Sequence, residues 1–298
     1  MYTQIAANKR KTILLILVFV VLLGLLGWVL AQIQNNFGLF VGVSIFAVVY
    51  AWFGYYHSDK VALALSRAKP VTKKQAPQLY RAVENLAITS GLPMPRVYVI
   101  DDAAPNAFAT GRDPQHAAVA VTTGLLSMME DEELEGVLAH ELSHVGNYDI
   151  RVMAIVLVLV TIIVYVSDIF LRMTFWGGND DSDRGSSTAV LMLAGILLAI
   201  LAPLIATLLQ LAVSRKREYL ADASGALLTR YPDGLASALA KIANYPKPMR
   251  HASTATAHLF IANPLKGQRR GSWLAQLFST HPPVAERIKR LEQMGRKQ

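Results

Sequence analysis

Three features of the chain predict a mainly α, polytopic membrane protein with four spanning helices and a small α+β domain on one membrane face. Hydrophobic residues fill 53% of its 298 positions and charged residues only 17%, too apolar for an ordinary soluble protein. The excess is concentrated in four nearly uncharged stretches, Ile13 to Ala31, Gly38 to Tyr56, Val152 to Leu171 and Thr188 to Val213. About 20 residues at about 1.5 Å rise make a helix of roughly 30 Å, the thickness of the hydrocarbon core. The third feature is that the basic residues gather at one side of these stretches.

Lys9, Arg10 and Lys11 precede the first stretch, which could also pass for a secretory signal ending at Val29-Leu30-Ala31. Its apolar core is longer than the usual ~7 to 15 residues. A second apolar stretch follows the short link Gln32 to Phe37, as in a helical hairpin within a bilayer. Gly38 and Gly42 form a Gly-x-x-x-Gly pair of the kind that lets helices approach closely. The second pair of stretches has an alternative as a buried hairpin in a water-soluble core. Asp168 and Arg172, spaced i,i+4, suit an interfacial ion pair better than one at mid-membrane. Pro203 implies a kink in the fourth stretch.

The net charge of +8 has a local origin. Besides Lys9 to Lys11, basic residues flank the spans at Lys60, Arg67 and Lys69, at Arg151, and at Arg215, Lys216 and Arg217. The first connecting loop has no Lys or Arg, and the second sets Asp180, Asp181 and Asp183 against Arg172 and Arg184. The positive-inside rule then puts both termini and the His57 to Arg151 segment in the cytoplasm. Residues 1–56 form the N-terminal hairpin, 57–151 a first cytoplasmic segment, 152–213 a second hairpin and 214–298 a second cytoplasmic segment. No nucleic-acid recognition motif accompanies the charge, so the lipid bilayer and not nucleic acid is the expected partner of these flanks. The absence of cysteine excludes disulfides and thiolate metal sites.

Between the hairpins, Lys73 to Ser90 reads as an amphipathic helix and Pro95 to Asp102 as a strand. "NAFATG" and "AAVAVTTG" read as two strands joined by a turn at Arg112-Asp113-Pro114-Gln115. Ser127 followed by Glu130 has the capping-box pattern, opening a helix that runs to about Gly146.

That helix carries "VLAHELSHVGNYD", Val137 to Asp149. His140 and His144 are four apart, so both imidazoles project from one face and can hold one zinc ion. Glu141 is beside the first ligand and can act as a base without ligating, on a water whose pKa zinc lowers to about 7. The five-residue pattern alone is weak, since a buried or capping histidine pair also satisfies it. A catalytic zinc needs a third protein ligand and an open position. "RKREYLADASGA", Arg215 to Ala226, supplies Glu218 as that ligand, and Asp222 four residues later faces the same way to hydrogen-bond a ligand histidine. The histidines precede the third stretch and Glu218 follows the fourth, so a spanning hairpin returns all three ligands to one membrane face.

With these motifs the chain resembles the HtpX-type membrane zinc metalloproteases, bacterial relatives of the prenyl-protein endoproteases. The resemblance runs from the paired N-terminal spans through "PNAFATG", "VLAHELSHVGNYD" and "SRKREYLADASGA" to "STHPPVAERIKRL". It implies a zincin-like metallopeptidase domain in a bacterial cytoplasmic membrane, one zinc per chain, and endoproteolysis of membrane proteins at the cytoplasmic face in quality control. It makes His140, His144 and Glu218 ligands, Glu141 the catalytic base and Asp222 a support for a ligand.

Two further expectations concern substrate. In the proteases that this chain resembles, an edge strand ahead of the metal helix pairs with extended substrate, and Asn106, Ala107, Phe108 and Ala109 are candidates for it. His281 is a candidate transition-state stabiliser, with Arg287 steadying its segment, although a histidine capping a helix before prolines is an equal reading. His116, His251 and His258 show no partner pattern. The competing functions are a non-catalytic, zinc-stabilised membrane adaptor or chaperone, which has no use for Glu141, and a transporter. A transporter calls for ionisable residues deep in the spans, and these offer little beyond Asp168 and Gln210.

Overall fold

The computed structural model describes residues 2–33, 35–176, 214–251, 255–265 and 282–296, with backbone only at 2–4, 30, 33 and 166–176. The fourth apolar stretch with Pro203 and Gln210, the acidic loop before it, the side chains of Asp168 and Arg172, and His281 therefore lie outside the described residues.

Two long helices, α1 (Tyr2–Ile33) and α2 (Phe37–Leu65), open the chain as an antiparallel pair. Asn36 starts α2 by accepting the Gly38 N–H at 3.0 Å. Leu15, Phe19 and Leu23 meet Ala47 and Ala51, and both helices pack on Val152, Ile155, Val156 and Leu159 of α6 (Asp149–Trp176). Their outer faces expose Leu14, Leu17, Trp28, Val49 and Trp52, a surface suited to lipid. Among the described residues, two helices are long and apolar enough to cross a membrane, or three if α5 (Asp131–Gly146) and α6 make one bent span.

Two details differ from expectation. Among the described residues the Gly38/Gly42 pair makes no close helix contact, Gly42 having nothing near its missing Cβ; close approaches occur instead at Gly27, where a Cβ would come within 2.8 Å of Val43, and at Gly54, within 2.5 Å of Val158. Moreover, α2 is longer than the apolar stretch that ends at Tyr56: it continues unbroken to Leu65, with Asp59, Ala62 and Leu63 buried.

Beyond α2, the chain builds a four-stranded sheet of β1 (Lys69–Pro70), β2 (Arg96–Ile100), β3 (Ala107–Thr110) and β4 (Ala118–Thr122), in the order β1-β2-β4-β3. β2 and β4 are parallel, while β3 runs antiparallel to β4 with Ala107 opposite Val121 and Thr110 opposite Ala118. The β3–β4 link forms a 3-10 turn at Pro114–His116, capped by Asp113. α3 (Pro77–Ser90) lies between β1 and β2. It starts four residues later than Lys73 suggests, because proline suits the first turn, and it stops at Gly91, whose φ of +67° the missing side chain permits.

The capping box is also displaced. Ser127 sits within a short helix, α4 (Thr123–Met128), and its hydroxyl donates to Gly124 O. The N-cap of α5 is Glu130, whose N–H donates to Glu133 Oε2 at 2.9 Å. Glu133 is fixed in turn by Ser237 and Lys241 of α8 (Pro232–Asn244), so the start of the metal helix is tied to the helix behind it.

The core forms around α5. Leu134, Val137, Leu138 and Leu142 are buried against Phe108, Leu235 and Leu239. Truncating any one of these leucines to alanine typically costs about 2–5 kcal/mol. α7 (Arg215–Thr229) crosses α5 closely: a Cβ on Gly225 would lie 3.0 Å from His140 N, so a larger residue there would push Glu218 away from the histidines. α9 (Val284–Gly295) closes the far side of α7 and α8.

Candidate metal centre

The i,i+4 spacing on α5 brings the His140 and His144 Nε2 atoms to 3.3 Å of each other, and both rings are buried. Glu218 comes from the first turn of α7. Its Oε1 is 3.5 Å from His144 Nε2, and its Oε2 is 3.9 Å from His140 Nε2. One ligand atom from each residue lies within 4.8 Å of the others. Two imidazole nitrogens and one carboxylate oxygen form a donor set that suits zinc and leaves coordination positions open.

Each histidine is oriented through its other nitrogen. His140 Nδ1 is 2.9 Å from Asp222 Oδ1, and His144 Nδ1 is 3.1 Å from Asp149 Oδ2. Proton donation to these carboxylates places the Nε2 lone pairs toward the common point, an arrangement that raises ligand basicity. Asp222 in turn receives Arg287 Nε at 2.9 Å and its Nη2 at 2.7 Å, and Arg287 Nη1 donates to Ile261 O at 3.1 Å. Arg287 is fully buried, so its charge is balanced within this network.

Burial drives the His140 pKa down to about 4, against the pull of Asp222. Burial acts in the same sense on His144, but Asp149, Glu218 and Glu141 outweigh it and raise that group to about 9. Surroundings that draw a proton so strongly also suit a divalent cation, which takes the proton's place on the ligand. Burial opposes ionisation of Asp222 too, yet Arg287 and His140 hold it down to about 2. Glu141 behaves oppositely. Its burial pushes the carboxyl up to about 7; the Glu218 charge adds to this, while His144, the Ala109 backbone N–H and Arg287 oppose it.

All four residues expected at the metal are thus assembled with Asp222 in one buried cluster. β3 also borders it, as the edge strand of the sheet. Antiparallel pairing turns the backbone groups of Phe108 and Thr110 toward β4 and those of Ala107 and Ala109 away from it. The Ala107 carbonyl accepts from Ile261 N at 3.0 Å, and the Ala109 N–H is near enough to Glu141 to favour its ionised form. Asn106, just before β3, pins residue 262 through its side chain, donating to Ala262 O at 2.9 Å. All four residues from Asn106 to Ala109 are buried.

Sequence reasoning missed Asp149, Arg217 and Asn8, and the extent of the Arg287 contacts. Asp149 closes the motif that carries the histidines, and a carboxylate just past the second histidine is the signal that could have found it. Asn8 carries no such signal, because it is 141 residues from Asp149.

The model of peptidase family M48 matches residues 73–295. A protease HtpX homolog of Tropheryma whipplei (strain Twist) is 49% identical over 295 residues, covering 99% of both chains. One from Caldanaerobacter subterraneus subsp. tengcongensis is 45% identical over 299 residues, covering 99% of this chain and 98% of the relative. Ste24p from S. mikatae shares the fold, with a TM-score of 0.50 at 20% identity over 98% of this chain and 67% of that one. With His140, His144 and Glu218 as its zinc-ligand cluster, the chain belongs to peptidase family M48 and is a membrane zinc metalloprotease.

Proposed function

We propose that this metalloprotease cleaves membrane or misfolded proteins at the cytoplasmic face of a bacterial membrane, in protein quality control, with Glu141 as its general base. The observation that carries the reading is the position of Glu141: fully buried, one residue after a ligand, beside an edge strand, with its carboxyl pushed up to about 7. A base with a pKa near the working pH transfers protons most effectively. When bound, zinc supplies Lewis-acid polarisation of a carbonyl and acidifies water. Glu141 takes the proton of the attacking water and delivers it to the leaving amine. Asp222 holds His140 in its ligating tautomer. His281 remains a proposed donor to the developing oxyanion.

Substrate pairs, in this reading, with the edge of β3. The Ala107 carbonyl already has Ile261 as its partner, so pairing falls chiefly to Ala109. Backbone pairing gives affinity with loose sequence preference, as suits a protease for misfolded chains.

Four spans, and the division at residues 57, 152 and 214, belong to the same proposal. The meeting of His140 and His144 with Glu218 supports it, because residues 152–213 must then leave the membrane on the side they entered. The cytoplasmic orientation rests on the basic flanks.

The test is zinc analysis of detergent-purified full chain together with digestion of an unfolded soluble substrate and a membrane substrate. One zinc per chain with chelator-sensitive cleavage is expected. Zinc-loaded protein that cleaves neither would favour the zinc-stabilised adaptor.

A further inference from the structure

Asp149 does not act on His144 alone. Its Oδ2 faces His144 Nδ1 at 3.1 Å, while its Oδ1 accepts from Asn8 Nδ2 at 2.8 Å and from Arg217 Nη1 at 3.2 Å. Asn8 comes from α1, immediately before the basic cluster that leads into the first apolar stretch. The same amide donates to Asn147 O at 2.9 Å, so it spans the break between α5 and α6. That break turns the chain by 82°, and Tyr148 within it has a φ of +60°. Lys9 lies over the Tyr148 ring at 5.2 Å, next to the Asn8 contact. Asn8, Asp149 and His144 are all nearly inaccessible to solvent, at 2%, 2% and 4% exposed.

We infer that Asn8 is a positioning residue for the metal centre: through Asp149 it fixes the tautomer and orientation of His144, so that the N-terminal helix completes the zinc site. The physical reason lies in the carboxylate. Asp149 starts α6, just past a break, and its position relative to His144 depends on how the break is held. A side chain with two accessible rotamers can present either oxygen, or neither, to Nδ1. Asn8 removes that freedom by fixing Oδ1 and the Asn147 carbonyl at once with the two hydrogens of one amide. Arg217 assists from α7, beside Glu218. Both ends of the site, the histidine helix and the glutamate helix, therefore refer to one carboxylate that α1 holds.

A consequence is that the metal is held less tightly when Asn8 of α1 is not docked on Asp149.

The inference rests on the zinc reading of His144, and the experiment separates the two. Zinc affinity is measured by chelator competition on detergent-purified full chain, together with the visible absorption of the cobalt-loaded protein, which reports ligand geometry. If wild type holds no zinc, the zinc reading itself fails. With wild type binding zinc, Asn8→Ala is expected to weaken it about tenfold and to change the cobalt spectrum, near the lower end of the 10 to 100-fold typical when support of a ligand is lost. Asn8→Asp replaces the donor with a charge like that of Asp149, so its loss is expected to be larger. Thr12→Ala removes a neighbouring buried hydroxyl that, among the described residues, bonds Asn8 O, and should leave both readouts unchanged. Asn8→Ala in an Asp149→Asn background should add little, because the route is already broken. Zinc affinity and cobalt spectrum unchanged in Asn8→Ala, or costs that simply add in the double variant, would overturn the proposal. If Asn8→Ala cannot be recovered, Asn8→Ser carries the same test by the same two outcomes.

Discussion

His140 Nδ1 and Asp222 Oδ1 meet at 2.9 Å, and the same carboxylate is held by Arg287 through Nη2 on that oxygen and Nε on the other. α5, α7 and α9 are thereby joined through one buried charge cluster. Asp222→Asn keeps the shape but weakens both contacts, so zinc affinity should fall about 10 to 100-fold. Arg287→Ala leaves the Asp222 charge buried without its partner, which typically destabilises by about 3–5 kcal/mol. Arg287→Lys should fall between, since an ammonium cannot reproduce the two-armed contact. Thermal unfolding and chelator competition on the same preparations check the order.

Glu141 and the metal ligands should separate cleanly by substitution. Glu141→Gln preserves volume but cannot accept a proton, so cleavage should fall by about 10² to 10⁴-fold while zinc stays bound. His140→Ala, His144→Ala and Glu218→Ala should lose zinc and activity together. Cleavage at the wild-type rate by Glu141→Gln would refute the base assignment. Retained zinc in Glu218→Ala would instead remove the third ligand and leave Glu141 untouched.

The metal centre was legible because its signals are local. His140 and His144 lie one turn apart, and Glu218 and Asp222 share the same spacing on α7, so the helical period alone aims each pair. Asp149 was hidden by the break between two helices. A left-handed tyrosine is rare enough that nothing in "GNYD" announces an 82° turn, and the apolar run drew attention to Val152 as the start of the next helix. Asn8 and Arg217 were hidden by distance, since contacts between segments far apart in sequence leave no periodic trace. The capping box was read one pattern too early because Ser127 also fits it. Only the packing of Glu133 on Lys241 and Ser237 selects Glu130 as the N-cap.

Topology can be checked independently of catalysis. If the basic flanks face the cytoplasm, accessibility probes at the N-terminus, near Gln115 and at Gln298 should all report that side, and the 179–187 loop should report the opposite one. Protection of that loop in intact cells, with reaction only after lysis, would argue for a buried second hairpin. The ligand cluster would stand, but its route of assembly would need another account.

If extended substrate pairs with β3, substrate binding and the proposed base Glu141 meet at Ala109, so its substitution should affect both. Its backbone faces away from β4, and its N–H favours the ionised form of the Glu141 carboxyl. Proline there removes that donor and disturbs local pairing, while every zinc ligand remains. The substrate concentration for half-maximal cleavage should rise, because an extended substrate loses a pairing position. The turnover number should also fall, because Glu141 loses a backbone donor that lowers its pKa. Zinc content should not change. Ala109→Gly keeps the N–H and serves as the control, so it should lose far less on both counts. An effect on half-saturation alone would mean that the Glu141 contact is incidental to catalysis. Wild-type kinetics in a folded, zinc-loaded Ala109→Pro variant would move substrate binding away from β3 altogether.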